Sequence, residues 1–186
     1  MRTAIQALRN LASPCPFAAF GTAIVNHTAS AEGKLVCIGV NSQHQTGNPT
    51  HHGEIAAINN CTSVLTNLNG PYRLSAQETY HAWKDLTLYT TAEPCPMCAS
   101  AIRWAGFREL VYGTSIDTLV EYGWMQIEIS SREVFQRSPA FGNDTTIVGE
   151  VLTEETDPLF AWQFQHDAAC PEGCRKDGAG TKCDPL

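Results

Sequence analysis

The stretches His52-Gly-Glu54 and Pro94-Cys-Pro-Met-Cys98 decide the fold and the chemistry of this chain. They supply one imidazole, two thiols and one carboxylate that a metal site does not need as a ligand. One His and two thiolates fill three corners of a tetrahedral Zn²⁺ site and leave the fourth open, which is typical of catalytic zinc. The carboxylate can then accept and pass on protons. We therefore predict one Zn²⁺ held by His52, Cys95 and Cys98, with Glu54 as the acid–base group.

The three ligands are predicted to lie where two helices begin. Gly53 to about Leu68 reads as a helix, and Met97–Ala105 is a second one that follows the strand Leu86–Thr91. The positive ends of helix dipoles favour thiolate over thiol. His51 is a rival ligand, but the H-x-E spacing selects His52. A disulfide or redox C-x-x-C beside a chance H-x-E is the alternative.

Hydrophobic periodicity and turn residues predict the remaining elements. The predicted strands are Phe20–Asn26, Leu35–Asn41, Leu86–Thr91, Glu109–Thr114 and Thr145–Leu152, and further helices span Met1–Ala12 and Ser75–Trp83. The first two strands form an antiparallel hairpin. Residues 115–144 are more than a hairpin needs and enough for a crossover helix, so strands four and five are predicted to be parallel. We expect an α/β fold, a three-layer α/β/α sandwich around a mixed five-stranded sheet.

The chain of 186 residues fits one catalytic domain, which we place at residues 1–160. Residues 161–186 form a Cys- and Gly-rich C-terminal tail. Its His166 and three cysteines resemble a second zinc site, but a disulfide-tied or loose tail is the favoured interpretation.

The charge balance argues against a polynucleotide substrate. The chain carries 12 basic and 19 acidic residues, a net charge of −7, and its basic residues are scattered along the sequence. Proteins that bind a phosphate backbone usually show a patch of Lys and Arg. A basic groove assembled in space is the alternative. No apolar run approaches the roughly 20 residues that span a bilayer, so we expect no membrane association.

The remaining cysteines bear on the compartment. Eight cysteines are present, and two are assigned to zinc, so an even number remains for disulfides. N-x-S/T sequons begin at Asn26, Asn60 and Asn143. Together these features predict a glycosylated secretory-pathway protein whose signal peptide is absent from this sequence, because Met1–Ala12 is amphipathic. A cytosolic enzyme with buried thiols is the alternative.

Three segments carry a resemblance to a known family: Asn48-Pro-Thr-His-His-Gly-Glu-Ile-Ala-Ala-Ile58, Thr91-Ala-Glu-Pro-Cys-Pro-Met-Cys98 and Ala101-Ile-Arg-Trp104. Over most of residues 1–155 the chain resembles the cytidine deaminase superfamily, nearest to its guanine deaminase and tRNA-adenosine deaminase branch. The resemblance implies a zinc-dependent hydrolase that releases ammonia, a sheet ending in parallel strands, and a homodimer.

The same resemblance implies residues beside the substrate. It places Phe20 on the first strand and Asn41 at the end of the second strand next to the substrate. Guanine deaminases carry an acidic residue after the fourth strand; an ungapped comparison puts Thr118 there, which departs from the guanine deaminase pattern, and Asp117, one position away, is the candidate. Asn41 has an alternative role as a turn residue. Trp104 is a candidate for the pocket wall, with core or dimer packing as the alternative.

Three functions follow, in this order. The first is hydrolytic deamination of a small nucleobase, nucleoside or nucleotide, in which Glu54 moves the protons. The second is deamination of adenosine or cytosine in a polynucleotide, tRNA or single-stranded DNA. The third is a non-enzymatic protein stabilised by zinc, which requires a fourth protein ligand and leaves Glu54 without a role.

Overall fold

A mixed sheet forms the centre of the computed structural model of this chain, which describes residues 1–9, 11, 13, 15–142 and 144–186. Its strands are β1 (Gly21–Asn26), β2 (Lys34–Val40), β3 (Leu86–Ala92), β4 (Glu109–Thr114) and β5 (Thr146–Val148). They lie in the order β2-β1-β3-β4-β5. β1 is antiparallel to both of its neighbours, whereas β4 is parallel to β3 and to β5. The predicted mixed five-stranded sheet, with parallel fourth and fifth strands, is confirmed.

Helices pack on both sides of this sheet. They are α1 (Arg2–Leu8), α2 (Gln43–Thr46), α3 (Gly53–Thr66), α4 (Ala76–Ala82), α5 (Pro96–Ala105), α6 (Ile116–Tyr122), α7 (Ser131–Gln136), α8 (Thr153–Thr156) and α9 (Pro158–Ala161). One apolar cluster joins Ile24 and Leu88 of the sheet to Leu65 of α3 and Ile102 of α5. A second cluster contains side chains of α1, α6 and α9. The sheet lies between these two groups of helices, as predicted for a three-layer sandwich.

The connection between β4 and β5 contains two short helices, α6 and α7, where a crossover helix was predicted. α6 ends at Gly123, whose φ of 101° favours glycine. The fifth strand is also shorter than the predicted Thr145–Leu152. Glu150 and Leu152 both have φ of 58°, which takes them out of the extended region and ends the strand.

The amphipathic N-terminal helix is confirmed in part. Leu8 is buried in the second apolar cluster, and Ile5 and Leu11 pack against it. The predicted end of this helix at Ala12 lies outside the described residues, as does the sequon residue Asn143. Across the described ranges, no helix is both long enough and apolar enough to pass through a bilayer.

Disulfides fix the tail and the hairpin. The pairs are Cys15–Cys174, Cys37–Cys61 and Cys170–Cys183. The tail forms a two-stranded ladder of β6 (Cys174–Lys176) and β7 (Cys183–Pro185). Trp162 packs against Cys15 and Cys183. The predicted disulfides are confirmed, and the tail cysteines bind one another or Cys15 and form no second zinc site.

Candidate active site

The three predicted metal ligands meet where α3 and α5 begin. His52 is the residue directly before α3, Cys95 is the residue directly before α5, and Cys98 lies in the first turn of α5. Nδ1 of His52 lies 3.6 Å from Sγ of Cys95 and 3.6 Å from Sγ of Cys98. All three ligand atoms lie within 4.8 Å of one another. The fold therefore brings together residues that are 43 and 46 positions apart in the sequence.

These distances fit a tetrahedral zinc ion. With Zn–S bonds of about 2.3 Å and a Zn–N bond of about 2.05 Å, tetrahedral angles place the nitrogen and sulfur ligands about 3.6 Å apart. This is the separation observed in the structure. Within the described part of the chain, the cluster contains no fourth His, Cys, Asp or Glu ligand. The donor set is that of a catalytic zinc site, which keeps one position open.

Charge is distributed unevenly over the three ligands in the metal-free protein. A hydrogen bond from the Cys98 thiol, together with one from His52, lowers the pKa of Cys95 to about 4. The same contact with Cys95, reinforced by burial, raises the pKa of Cys98. The hydrogen bond to Cys95 raises the pKa of His52. Because metal ligands must be deprotonated, zinc binding releases protons from this cluster.

His51, the rival ligand, points elsewhere. Its Nδ1 lies 2.9 Å from the hydroxyl oxygen of Ser42, and its carbonyl oxygen accepts a hydrogen bond from the Ser42 N–H at 3.1 Å. His51 therefore holds the end of the hairpin close to the start of α3. The assignment of His52 from the H-x-E spacing agrees with this geometry.

Glu54 lies in the first turn of α3, next to the ligands, and only 3% of its surface is exposed. Burial raises the pKa of its carboxyl group to about 7, and the charge of the nearby Cys95 raises it further. A carboxyl group with a pKa close to neutral can both accept and donate a proton at physiological pH. These are the properties that acid–base catalysis needs.

A cavity of about 610 Å³ opens beside Glu54 and the ligands. Its apolar walls are formed by Phe17, Phe20, Trp124, Met125, Ile127 and Phe164. Its polar lining includes Asn41, Gln43, His44, Glu93 and Gln126. The rings of Phe20 and Trp124 meet edge to face with centroids 5.4 Å apart. Among the described lining residues there is no Lys or Arg.

Phe20 and Asn41 both line this cavity, as the resemblance implied. Phe20 is held close to the ligands because α3 begins with a glycine. A Cβ atom on Gly53 would lie 2.5 Å from the carbonyl oxygen of Phe20. The Asn41 amide is also a turn group, since its Nδ2 donates to Gln43 Oε1 at 3.0 Å and its Oδ1 accepts from Gln43 N–H at 3.1 Å. Its remaining hydrogen and lone pair are available to a substrate.

The family follows from the sequence match over this same region. A family model described as the cytidine and deoxycytidylate deaminase zinc-binding region matches residues 1–114, which is more than half of the chain. The chain belongs to this deaminase family. The predicted superfamily is confirmed, and with it a zinc-dependent hydrolytic deaminase.

Relatives of this deaminase include enzymes with different substrates. The chain is 31% identical over 144 residues to the guanine deaminase of Bacillus subtilis, covering 77% of this chain and 79% of that enzyme. It is 30% identical over 82 residues to the tRNA-specific adenosine deaminase of Rickettsia bellii, covering 44% of this chain and 48% of that enzyme. The predicted branch is confirmed.

Solved structures show the same fold. The deaminase superposes on the guanine deaminase from Nitrosomonas europaea with a TM-score of 0.58 and 21% sequence identity, covering 86% of this chain and 79% of that chain. At this identity the likeness supports the fold alone.

The structure corrects the assignment of Trp104 to the pocket wall. Trp104 is 70% exposed and meets Phe141 edge to face, with ring centroids 4.5 Å apart. Arg103, the residue before it, points inward instead and lies over the rings of Phe135 and Phe141 at 5.4 Å each. Trp104 is not among the described residues that line the cavity, and its exposure places it on the surface of the protein. The homodimer stays a prediction, and so does the alternative role of Trp104 in packing between the two subunits.

Asp117 is also placed outside the cavity. It lies in the first turn of α6 and is exposed. The acidic residue that the structure places in the lining, besides Glu54, is Glu93, two positions before Cys95. Sequence analysis did not identify Glu93, although its position within the stretch Thr91–Cys98 was a usable signal.

Trp124 and its neighbours were missed for a different reason. Residues 123–127, here called the wall segment, lie in the connection between α6 and α7 and contribute five residues to the cavity lining. Trp124 is fixed by a hydrogen bond from its Nε1 to the carbonyl oxygen of Phe160 at 3.2 Å. This segment has no hydrophobic periodicity, so its sequence does not indicate that it packs beside the metal ligands.

Proposed function

We propose that this deaminase acts on a small uncharged substrate, a free nucleobase or its nucleoside, and not on a polynucleotide. The observation that carries the proposal is the cavity beside Glu54, whose described lining has aromatic walls, neutral amides and no Lys or Arg. A polynucleotide is held mainly by cationic contacts to its phosphates. The net charge of −7 works in the same direction.

The size and walls of the cavity suit a flat ring. Its volume of about 610 Å³ falls within the range of about 300–1,000 Å³ that is usual for small-molecule sites. Aromatic side chains stack on, or meet the edge of, heteroaromatic rings. We expect Phe20 and Trp124, which both line the cavity, to contact such a ring.

Glu54 moves the protons of the reaction. The residues that would hold zinc are His52, Cys95 and Cys98, and the bound ion would act as a Lewis acid that activates water. Glu54 accepts a proton from the attacking water and gives it to the ring nitrogen next to the amino-bearing carbon. The water oxygen bonds to that carbon, and Glu54 takes the remaining proton of this oxygen and passes it to the amino group. The C–N bond then breaks, so that ammonia leaves and the ring carbonyl forms. One buried carboxyl group thus acts as base and then as acid.

Directional hydrogen bonds come from the polar lining. Asn41, already held by Gln43, can offer its second amide hydrogen and its second lone pair to a ribose hydroxyl or to the edge of the ring. Gln126 and His44 lie in the same lining. The amide groups of Asn41 and Gln126 match hydroxyl groups better than a phosphate.

The test compares kcat/KM for a base, its nucleoside, its monophosphate and a short oligonucleotide that contains the same base, at low and high salt. We expect the base or nucleoside to be the best substrate, with little salt dependence. Highest activity on the oligonucleotide, falling steeply with salt, would refute the proposal and favour the polynucleotide alternative.

We also propose that the enzyme matures in the secretory pathway. Three disulfides support an oxidising compartment. Of the two sequon residues that the structure describes, Asn60 is exposed on α3 and Asn26 ends β1. Intact mass after alkylation, with and without reductant, should show six cysteines protected before reduction and two alkylated. Eight alkylated cysteines without reductant, in protein made in a secretory host, would overturn this proposal.

A further inference from the structure

The wall segment closes one side of the cavity, and Trp124 is the residue through which it packs on the rest of the fold. Met125 is 97% exposed and Ile127 is also exposed. The segment is anchored at its start by the hydrogen bond from Trp124 N–H to the carbonyl oxygen of Leu119 at 2.9 Å. Its position relative to the metal ligands therefore depends on the contacts of Trp124 and also on what holds the two helices that flank it.

One buried carboxylate holds both of these helices. Oε2 of Glu93 accepts a hydrogen bond from the N–H of Ile116, the first residue of α6, at 3.0 Å. Oε1 accepts from the N–H of Ser131, the first residue of α7, at 2.8 Å, and from its hydroxyl group at 2.7 Å. Glu93 is only 6% exposed, and a buried carboxylate needs such donors to offset its lost hydration.

The backbone of Glu93 is fixed as firmly as its side chain. Its N–H donates to the carbonyl oxygen of Thr114, at the end of β4, at 2.7 Å. Only Pro94 separates it from the ligand Cys95, and the proline ring fixes one backbone dihedral of that link. Glu93 thus connects the metal ligands directly to the two ends of the connection that carries the wall segment.

We propose that Glu93 is a positioning residue, which sets the distance between the wall segment and the metal site and so orients the substrate ring against Glu54. The inference rests on the deaminase activity and holds for either small substrate. A carboxylate suits this position because it offers two oxygens that only accept, and the three groups that face it are all donors. Glutamine in its place would turn an N–H group toward an N–H donor.

The test compares Glu93→Gln with the matched control Glu109→Gln. Glu109 lies on β4 at the end far from the site, where it accepts one hydrogen bond from the Thr87 hydroxyl at 3.3 Å. For Glu93→Gln we expect unchanged zinc content, faster amide hydrogen exchange across residues 116–131, and a kcat/KM at least tenfold lower, mainly through a higher KM. Glu109→Gln should show none of these changes.

A second variant keeps the inference testable if Glu93→Gln folds poorly. Ser131→Ala removes one of the three donors and keeps both backbone N–H groups, so its KM should rise by a smaller factor, and exchange should increase mainly near residue 131. If Glu93→Gln or Ser131→Ala lowered only thermal stability, with KM and exchange at residues 116–131 unchanged, Glu93 would be a general structural residue and the proposal would be wrong.

Discussion

Removal of the Cys15–Cys174 disulfide should cost more stability than removal of any other disulfide in this protein. Its two cysteines are 159 residues apart, so the bond constrains most of the unfolded chain. The loop-entropy relation gives about 5 kcal/mol for a loop of this length. The same relation gives about 3 kcal/mol for Cys170–Cys183, whose cysteines are 13 residues apart. The difference of about 2 kcal/mol is the quantity to measure.

The long disulfide should also influence the substrate cavity, whereas the short one should not. Cys15 directly precedes a segment that lines the cavity with Phe17 and Ala18. Ala18 is held in the left-handed region at φ 56°, and its N–H donates to Oε1 of Gln163 at 3.0 Å. Release of Cys15 from Cys174 removes the covalent restraint on this wall and leaves only non-covalent contacts such as the hydrogen bond to Gln163, so KM should rise a few-fold.

The assay is urea unfolding of two double variants, Cys15→Ser with Cys174→Ser and Cys170→Ser with Cys183→Ser. The second is a matched control, because Cys183 is buried in the same cluster as Cys15. Equal losses in the free energy of unfolding, or a larger loss in the control, would refute the loop argument. Equal KM values for both variants would refute the link to the cavity.

Three further predictions concern catalysis and charge. Glu54→Gln should keep the zinc content of the wild type while kcat falls by about 10²–10⁴, as metal analysis and ammonia release will show; near-normal turnover contradicts the assigned role. In zinc-free protein the raised pKa of Glu54, about 7 against an ordinary 4.5, means that the folded state keeps a proton that the unfolded state has lost. The free energy of unfolding of the wild type should therefore fall by about 3 kcal/mol relative to that of Glu54→Gln as pH rises from 4.5 to about 7. Urea unfolding of both proteins at pH 4.5 and pH 7 measures this change. If the difference between the two proteins were the same at both pH values, the prediction would be wrong. Trp124→Ala should raise KM by about tenfold through loss of a cavity wall, whereas Trp104→Ala should leave KM unchanged, and steady-state kinetics with one nucleoside compares them.

The clustering of His52, Cys95 and Cys98 was predictable because its signals are local. His52 and Glu54 share the first turn of one helix, and Cys95 and Cys98 share the start of another. Each short motif fixes its own geometry, and the fold has only to bring two helix starts together. The parallel arrangement of β4 and β5 was predictable for a similar reason, since the length of the connection between them limits the possible topologies.

The direction of side chains on α5 was not predictable from residue type. Arg103 is buried at 6% exposure and Trp104 is exposed, the reverse of what their polarity suggests. Arg103 is stabilised inside by two aromatic rings and by hydrogen bonds to the hydroxyl and carbonyl oxygens of Ser138, at 3.1 and 2.9 Å. These partners lie about 35 residues later in the sequence, so no pattern within the helix reveals them.

The part of the site that the sequence does not predict, the wall segment, is also the part that bears on the choice of substrate. The proposed zinc ligands and Glu54 lie in two short motifs, each at the start of one helix. The wall segment lines the cavity, and we propose that its position depends on Glu93, which contacts Ile116 and Ser131 because β3 and β4 pair side by side. The parts of the cavity that we propose to orient the substrate are therefore joined by long-range hydrogen bonds to one buried carboxylate, and the sequence motifs alone do not show these bonds.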